Sequence, residues 1–404
     1  MRSTAPHEPR AALSRRHFVR RAAGVAGLGL VAPGAWAHLL AQSECDGAPA
    51  GELVRTLALY GPGAVEAPLG QMVGGPGLDA RLFTDLTALQ PDRMVTPARD
   101  VFVRTAAPPG LVHAPERWSI TVPGRSGGPP RPTTAADIGQ KARPQGAHLI
   151  ECAGNSNPQN FGLMSAVEWH GVPLADLLDP GGRPAGATAV LVSGLDDESR
   201  PSLRSQPGAS WVLPLTALEP GGALLATRMN GEALTPDHGA PVRLVVPGWY
   251  GCAWIKWVND LRWVGDDEPA TSQMREYARR TRQNGRPELA RDYEAPVIDT
   301  AAMPIRVEQR RVNGATEYRI VGIVWGGARP VDRLIMRFGS RDAGTPVQVC
   351  PAPTSTSTWT LWTHRWRPTA PGYYDISLRT ADTSIRTRRL DLSFYIRRVR
   401  IDDV

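Results

Sequence analysis

Residues 148–155 read H-L-I-E-C-A-G-N and place a cysteine where an apolar run gives way to small residues. The run 148–150 favours a buried strand, and the small residues after Cys152 favour a loop. A thiolate at such a strand end is suited to act as a nucleophile or as a soft metal ligand. For a cysteine considered alone, a buried inert thiol is the simpler interpretation. The rest of the sequence has to decide between these alternatives.

Short β-like runs alternate with helical pieces over residues 82–290, which predicts an α+β domain whose site is built from loops. Residues 167–178 are predicted to be a loop that feeds a short helix. The predicted strands of this domain are 118–122, 189–193, 242–247 and 253–263.

The pattern changes from about residue 305, where short runs of β-branched and aromatic residues are separated by turn residues. This spacing predicts an Ig-like antiparallel β-sandwich over residues 291–404. A polar, Arg-rich segment with a helical pattern at 272–281 precedes it. The predicted strands of the sandwich are 318–325, 333–338, 346–350, 358–366, 373–379 and 388–396.

The N-terminus has the pattern of an export signal. S-R-R-H-F-V-R at 14–20 precedes an apolar run of small residues, and A-W-A at 35–37 fits a cleavage site. The paired arginines resemble a twin-arginine signal, whereas an ordinary N-terminal helix is the alternative. We therefore expect a signal peptide at 1–37, folded export to the periplasm, and an extended lead-in at 38–81 with a strand-like run at 53–60.

Charge and composition exclude several classes of protein. The 404-residue chain has a formal net charge of +7, but +5 of it lies within residues 1–37. No basic run with interleaved aromatic residues occurs elsewhere, which argues against a nucleic-acid partner. No other apolar run approaches the length of a membrane span, so we expect no membrane association after cleavage.

The four cysteines are far apart in the sequence. None forms a C-x-x-C pair, which argues against structural zinc, although two disulfides are possible in an oxidising compartment. The cysteines are Cys45, Cys152, Cys252 and Cys350.

Four motifs in chain order carry a specific resemblance. They are M-V-T-P-A-R-D-V-F-V-R at 94–104, E-C-A-G-N at 151–155, V-E-W-H-G-V-P-L at 167–174, and H-G-A-P-V-R-L-V-V-P-G-W-Y-G at 238–251 followed by I-K-W at 255–257. Together they resemble the sulfite oxidase family of molybdopterin-dependent oxidoreductases. The predicted sandwich is similar to that family's dimerisation domain, which implies a homodimer.

The resemblance implies one molybdenum with one molybdopterin per chain, with Cys152 as the protein's metal ligand. It also implies that His238, Arg243 and Lys256 bind the anionic pterin phosphate. Lysine usage supports this assignment, because the chain has only two lysines and one of them is Lys256. A compact ammonium can reach a phosphate where a planar guanidinium does not fit.

On the substrate side, the resemblance implies that Arg104 and Tyr277 lie beside the metal as catalytic residues. The sequence also departs from the family pattern. Asn157 stands where the family often has an arginine, and Thr105-Ala106 stands where it often has Asn-His. The loss of a cation from an anion pocket weakens binding by about 1–3 kcal/mol unless another residue compensates.

The resemblance implies oxidation of sulfite to sulfate. The electrons are expected to pass to an external c-type cytochrome, since the sequence has no C-x-x-C-H haem motif. One alternative is a periplasmic molybdenum reductase of a sulfoxide or another oxidised substrate. The other is a metal-free secreted binding protein on the same scaffold.

Overall fold

β-Strands are the main regular secondary structure of the described chain. The computed structural model describes residues 50–61, 80–104, 117–156, 161–195, 209–339, 341–349 and 351–404. The predicted signal at 1–37, together with Cys45, Ala106, Asn157 and Cys350, lies outside the described residues.

The strands are numbered here in chain order. They are β1 (Glu52–Leu57), β2 (Leu59–Tyr60), β3 (Ala80–Leu82), β4 (Val103–Arg104), β5 (Ser119–Val122), β6 (Arg131–Thr134), β7 (Arg143–Glu151), β8 (Met164–Pro173), β9 (Ala189–Gly194), β10 (Ser210–Pro214), β11 (Leu224–Met229), β12 (Glu232–Ala233), β13 (Arg243–Val245), β14 (Val258–Val264), β15 (Ala301–Val312), β16 (Ala315–Trp325), β17 (Arg333–Phe338), β18 (Thr345–Gln348), β19 (Thr360–Trp366), β20 (Gly372–Thr380) and β21 (Arg397–Ile401).

Three α-helices occur among the described residues, and each has five to seven residues. They are α1 (Ala135–Lys141), α2 (Leu174–Leu178) and α3 (Ser272–Tyr277). None of them is long and apolar enough to cross a membrane. The α+β prediction therefore holds only in part, since the described chain is mostly β with few helices.

Four of the sheets have four or five strands. Sheet I has the order β10-β9-β14-β5-β6, and sheet II has the order β12-β11-β8-β7 with β13 also paired to β11. Sheet III is β1-β15-β16-β19 and sheet IV is β18-β17-β20-β21-β2. The only parallel pair in these four sheets is β14 with β5. A two-stranded sheet, β3-β4, presents Arg104.

Three apolar cores lie between these sheets. One core joins the side chains of sheets I and II, a second joins sheet II to sheet III, and a third joins sheet III to sheet IV. In β8, Val167 and Trp169 belong to the first core, whereas Met164 and Ala166 belong to the second. Both faces of sheet II are therefore covered, so its strands are apolar without a clear alternation.

Two predicted segments differ from the structure. The loop predicted over 167–173 is wrong, because these residues complete β8, whose Gly171 packs against the backbone of Leu225 in the neighbouring strand. The strand predicted at 388–396 is also wrong; the last strand is β21. Residues 388–395 instead run over the second core, where Leu390 and Tyr395 are buried.

The strand-like run predicted at 53–60 does form strands, but they do not lead into sheets I and II. β1 pairs with β15 in sheet III, and β2 pairs with β21 in sheet IV. An N-terminal segment thus completes the two C-terminal sheets.

Candidate functional site

All six site residues predicted from the sequence line one cavity of about 990 Å³ that is open at its mouth. They come from five separate parts of the chain, between residues 104 and 277. The other walls of the cavity are mostly apolar or aromatic, and none of the described residues that line the cavity carries a carboxylate. The six residues are Arg104, Cys152, His238, Arg243, Lys256 and Tyr277.

Cys152 follows the last residue of β7 and begins a tight loop. Its backbone N–H donates to the carbonyl of Leu163 at 2.9 Å, and its own carbonyl accepts from the N–H of Asn155 at 2.9 Å. The side chain is 8% exposed and forms no disulfide. The Sγ atom accepts from the backbone N–H of Gly154 at 3.3 Å. The loop thus fixes the sulfur and turns it toward the cavity.

Arg104 connects Cys152 to Tyr277. Its Nη1 donates to Cys152 Sγ at 3.4 Å and to the Tyr277 hydroxyl at 2.9 Å. The charge of a Cys152 thiolate raises the pKa of Arg104 above its usual range, with Tyr277 adding to the effect. Burial raises the pKa of Tyr277 to about 12, so its phenol keeps its proton at neutral pH. Arg104 and Tyr277 therefore face the sulfur as a cation and a neutral hydroxyl.

The turn Pro236–His238 holds two further cations of the cavity, Arg243 and Lys256. Arg243 Nη1 donates to the carbonyl of His238 at 2.9 Å, and Lys256 Nζ donates to the carbonyl of Asp237 at 2.6 Å. Gly239 follows this turn with a φ of +96°, and a Cβ atom there would lie 3.0 Å from the Cβ atoms of both Arg243 and Lys256. Glycine is required at this position both by the backbone conformation and by the close approach of the two cations.

His238 is a neutral imidazole whose two nitrogens both have protein partners. The Thr235 hydroxyl lies 2.6 Å from Nδ1, and Nε2–H donates to the carbonyl of Val101 at 3.3 Å. Burial, together with the charges of Lys256 and Arg243, lowers the pKa of His238 to about 4. In this conformation the imidazole fixes the turn that holds the two cations.

Arg243 is a buried cation with an unsatisfied donor. Its side chain lies against Trp169 and Trp254, with Cζ 5.2 and 5.8 Å from the ring centroids. Its Nε has no hydrogen-bond partner. Burial lowers its pKa to about 9. A buried guanidinium with a free donor and no carboxylate nearby calls for an anionic ligand.

Some residues of the site were not found from the sequence. Cys252 also lines the cavity, and burial raises the pKa of its thiol well above the usual range, so it stays protonated. Glu151 is fully buried, and Arg388 lies 2.7 Å from each of its carboxylate oxygens. The only sequence signals were the position of Glu151 beside Cys152 and of Cys252 within the 238–257 motif.

Comparison with known proteins identifies the kind of site. Residues 106–272 match the family described as oxidoreductase molybdopterin binding domain. The mitochondrial sulfite oxidase of Homo sapiens is 29% identical over 305 residues, which cover 67% of this chain and 53% of that protein. The chain thus matches about half the length of that relative. The nitrate reductase [NADH] 2 of Arabidopsis thaliana is 31% identical over 163 residues, covering 36% of this chain and 18% of that one.

The fold agrees with these sequence matches. The sulfane dehydrogenase SoxCD from Paracoccus pantotrophus superposes with a TM-score of 0.59 at 20% identity, covering 85% of this chain and 94% of that one. The domain match and the lining of the cavity define a molybdopterin-binding protein. Together, the domain match, the sequence relatives and the fold support a molybdopterin oxidoreductase of the sulfite oxidase type.

The residues present fit a molybdopterin. Arg243 and Lys256 offer positive charge to its phosphate, and the free Nε of Arg243 offers a donor that the protein leaves unsatisfied. Trp169, Trp254 and Trp257 supply flat apolar walls. In the same cavity, Cys152 presents a soft sulfur ligand. Among the described residues, no group of three or more His, Cys, Asp or Glu side chains could hold a metal ion by itself.

Proposed function

We propose that the protein oxidises sulfite to sulfate at a molybdenum centre and passes the electrons to an external c-type cytochrome. The observation that carries this proposal is that Arg104 lies within hydrogen-bond distance of both Cys152 and Tyr277 in a cavity that other cations also line. A cation and a neutral donor beside a sulfur ligand suit an oxyanion that reacts at a metal.

The residues that line the cavity have two separate functions, which are to bind the cofactor and to bind the substrate. When bound, the cofactor supplies oxygen-atom transfer and the storage of two electrons. Arg243 and Lys256 bind its phosphate and thereby orient it along the cavity. Arg104 holds the negative charge of the substrate next to the Cys152 sulfur. The Tyr277 phenol, which keeps its proton at neutral pH, donates a hydrogen bond to an oxygen of the substrate or product.

Protein purified with its cofactor provides the test. We expect about one molybdenum per chain by elemental analysis, together with sulfite-dependent reduction of cytochrome c. Loaded protein that reduces no acceptor in the presence of sulfite would overturn the substrate assignment. Protein that takes up no molybdenum would favour the metal-free binding protein instead.

A second candidate is the reduction of an oxidised substrate. Part of this chain is similar in sequence to a plant nitrate reductase, which favours this second candidate. Turnover of sulfite with an oxidised acceptor, compared with turnover of nitrate and dimethyl sulfoxide with a reduced dye, separates the two directions. Faster reduction of nitrate or dimethyl sulfoxide than oxidation of sulfite would establish the second candidate.

We also propose export and dimerisation. The sequence at 14–37 supports cleavage after a twin-arginine signal and a periplasmic location. Sheets III and IV, which face each other across one apolar core, support assignment of the C-terminal region as an Ig-like sandwich that forms a homodimer. N-terminal sequencing of the exported protein and sedimentation of the purified protein test these two proposals.

A further inference from the structure

A second cavity of about 710 Å³ reaches Cys152 from the other side. Among the described residues, Cys152 is the only one that lines both cavities. The first cavity contains the residues that fit the pterin, so the second offers a separate approach to the same sulfur. Its walls are Glu151, Cys152, Ala153, Asn155, Ser156, Tyr250, Arg279, Arg280, Arg388, Leu392, Phe394 and Tyr395.

The second cavity has an excess of positive charge. Three of its lining residues are arginines, and its only carboxylate, Glu151, is already paired with Arg388. Arg279 and Arg280 are exposed, and neither has a carboxylate partner among the described residues. Two guanidinium groups are thus available to an anion that enters from solvent.

Arg280 lies close to Tyr277 and to Gly154. Its Cζ lies 5.6 Å from the ring centroid of Tyr277. A Cβ atom built on Gly154 would lie 3.2 Å from Arg280 Nη1, 3.6 Å from Cys152 Sγ and 3.7 Å from Arg104 Cζ. The absence of a side chain at Gly154 therefore leaves a small space where two guanidinium groups and the sulfur converge.

Two cations this close, at most about 7 Å apart, repel each other, and an anion in the space between them offsets that repulsion. Arg104 is held in place by Cys152 and Tyr277, whereas the end of the Arg280 side chain is tied to no hydrogen-bond partner among the described residues. An anion at the Gly154 space can therefore accept hydrogen bonds from both arginines while lying next to the sulfur.

We propose that Gly154, Arg104 and Arg280 form the oxyanion site beside Cys152, and that Arg280 is the residue that determines its specificity for a small anion. The substrate reaches this site through the second cavity, past Arg279. This inference rests on the proposed function in taking Cys152 as the place of reaction. It also supplies the second cation that the sequence lacks at Asn157, from a turn 123 residues further along the chain.

The test measures binding of inorganic sulfate to the molybdenum-loaded protein by titration calorimetry at constant ionic strength. We expect Arg280→Gln to weaken sulfate binding about tenfold or more, because a charged hydrogen bond is lost. Arg280→Lys should restore part of that affinity. Arg275→Gln is the matched control, since Arg275 is also exposed but lines neither cavity and donates to the carbonyl of Glu288.

A second variant tests the size of the proposed anion site rather than its charge. Gly154→Ala places a methyl group in the proposed site, and only the flexible end of Arg280 has to move to admit it. We expect weaker sulfate binding and a higher KM for sulfite.

The outcomes are distinct. Equal sulfate affinity in wild type, Arg280→Gln and Arg275→Gln overturns the proposal, as does a wild-type protein that binds no sulfate. Sulfate binding that depends on Arg280, in a protein that does not oxidise sulfite, supports the anion site and refutes sulfite as the substrate.

Discussion

Glu151 and Arg388 form a bidentate ion pair in which Nη1 lies 2.7 Å from Oε1 and Nη2 lies 2.7 Å from Oε2. Glu151 also accepts from Trp325 Nε1 at 2.8 Å. Burial alone would lower the pKa of Arg388, but the charge of Glu151 outweighs it and raises that pKa. Because Glu151 directly precedes Cys152, this pair ties the cysteine loop to the C-terminal part of the chain.

We expect Glu151→Gln to destabilise the protein by about 3–5 kcal/mol, because it leaves the Arg388 charge buried without a carboxylate. The control is Asp375→Asn, which removes the partner of Arg398 from a pair with similar distances that is partly exposed. That change should cost about 1 kcal/mol or less. Urea unfolding followed by tryptophan fluorescence measures both, and similar losses in the two variants would contradict the importance of burial.

Cys152→Ser should abolish molybdenum-dependent turnover, because a hydroxyl is a much poorer ligand for a soft metal site than a thiolate. The pterin should remain at least partly bound, since Arg243 and Lys256 are unchanged. Molybdenum and pterin content per chain, measured together with activity, check this expectation.

Cys252→Ala is the matched control for that variant, because Cys252 is also buried and lines the same cavity. Its thiol stays protonated, so its loss should leave the molybdenum content near that of the wild type. Full activity in Cys152→Ser would refute the ligand role.

The two lysines of the chain form a natural pair for a third experiment. Lys256 Nζ is held by the Asp237 carbonyl beside the cavity, whereas Lys141 is exposed at the end of α1. We expect Lys256→Gln to weaken pterin retention about 10- to 100-fold, because a charged hydrogen bond to phosphate is lost. Pterin content after dialysis is the measurement. Equal retention in Lys256→Gln and Lys141→Gln would remove Lys256 from the cofactor site.

The sequence was sufficient to select the cavity. Arg104, Cys152 and Tyr277 are far apart in the chain, yet the resemblance predicts that they share one site, and in the structure Arg104 lies within hydrogen-bond distance of both Cys152 and Tyr277. That prediction came from resemblance. Residue spacing alone did not bring them together, because no local pattern specifies which loops meet in space.

Contacts between distant segments could not be predicted in the same way. The sequence predicts a strand at Arg388, but this residue lies in a loop, from which it binds Glu151, 237 residues earlier in the chain. Gly171 and Pro173 favoured a loop, but the neighbouring strand and burial on both faces extend β8 through them. Local preference is overridden where a segment is covered from both sides.

His238 gives a prediction about pH that follows from its burial. Its pKa is about 4 in the folded protein, compared with about 6.5 for an unperturbed histidine. Between these two values the unfolded chain binds a proton that the folded chain does not, so acid favours unfolding. The stability from the neutral imidazole is therefore present above pH 6.5 and is lost as the pH falls toward 4. The loss is on the order of 3 kcal/mol across this range.

His238→Gln should show a shallower fall in urea midpoint between pH 6.5 and 4.5 than the wild type. His148 and His364 also have lowered pKa values because of burial, but both are present in the two proteins and cancel in the comparison. Above pH 6.5 the two curves should run parallel. Parallel curves across the whole range would mean that His238 is charged in the folded protein, which its burial and the charges of Lys256 and Arg243 oppose.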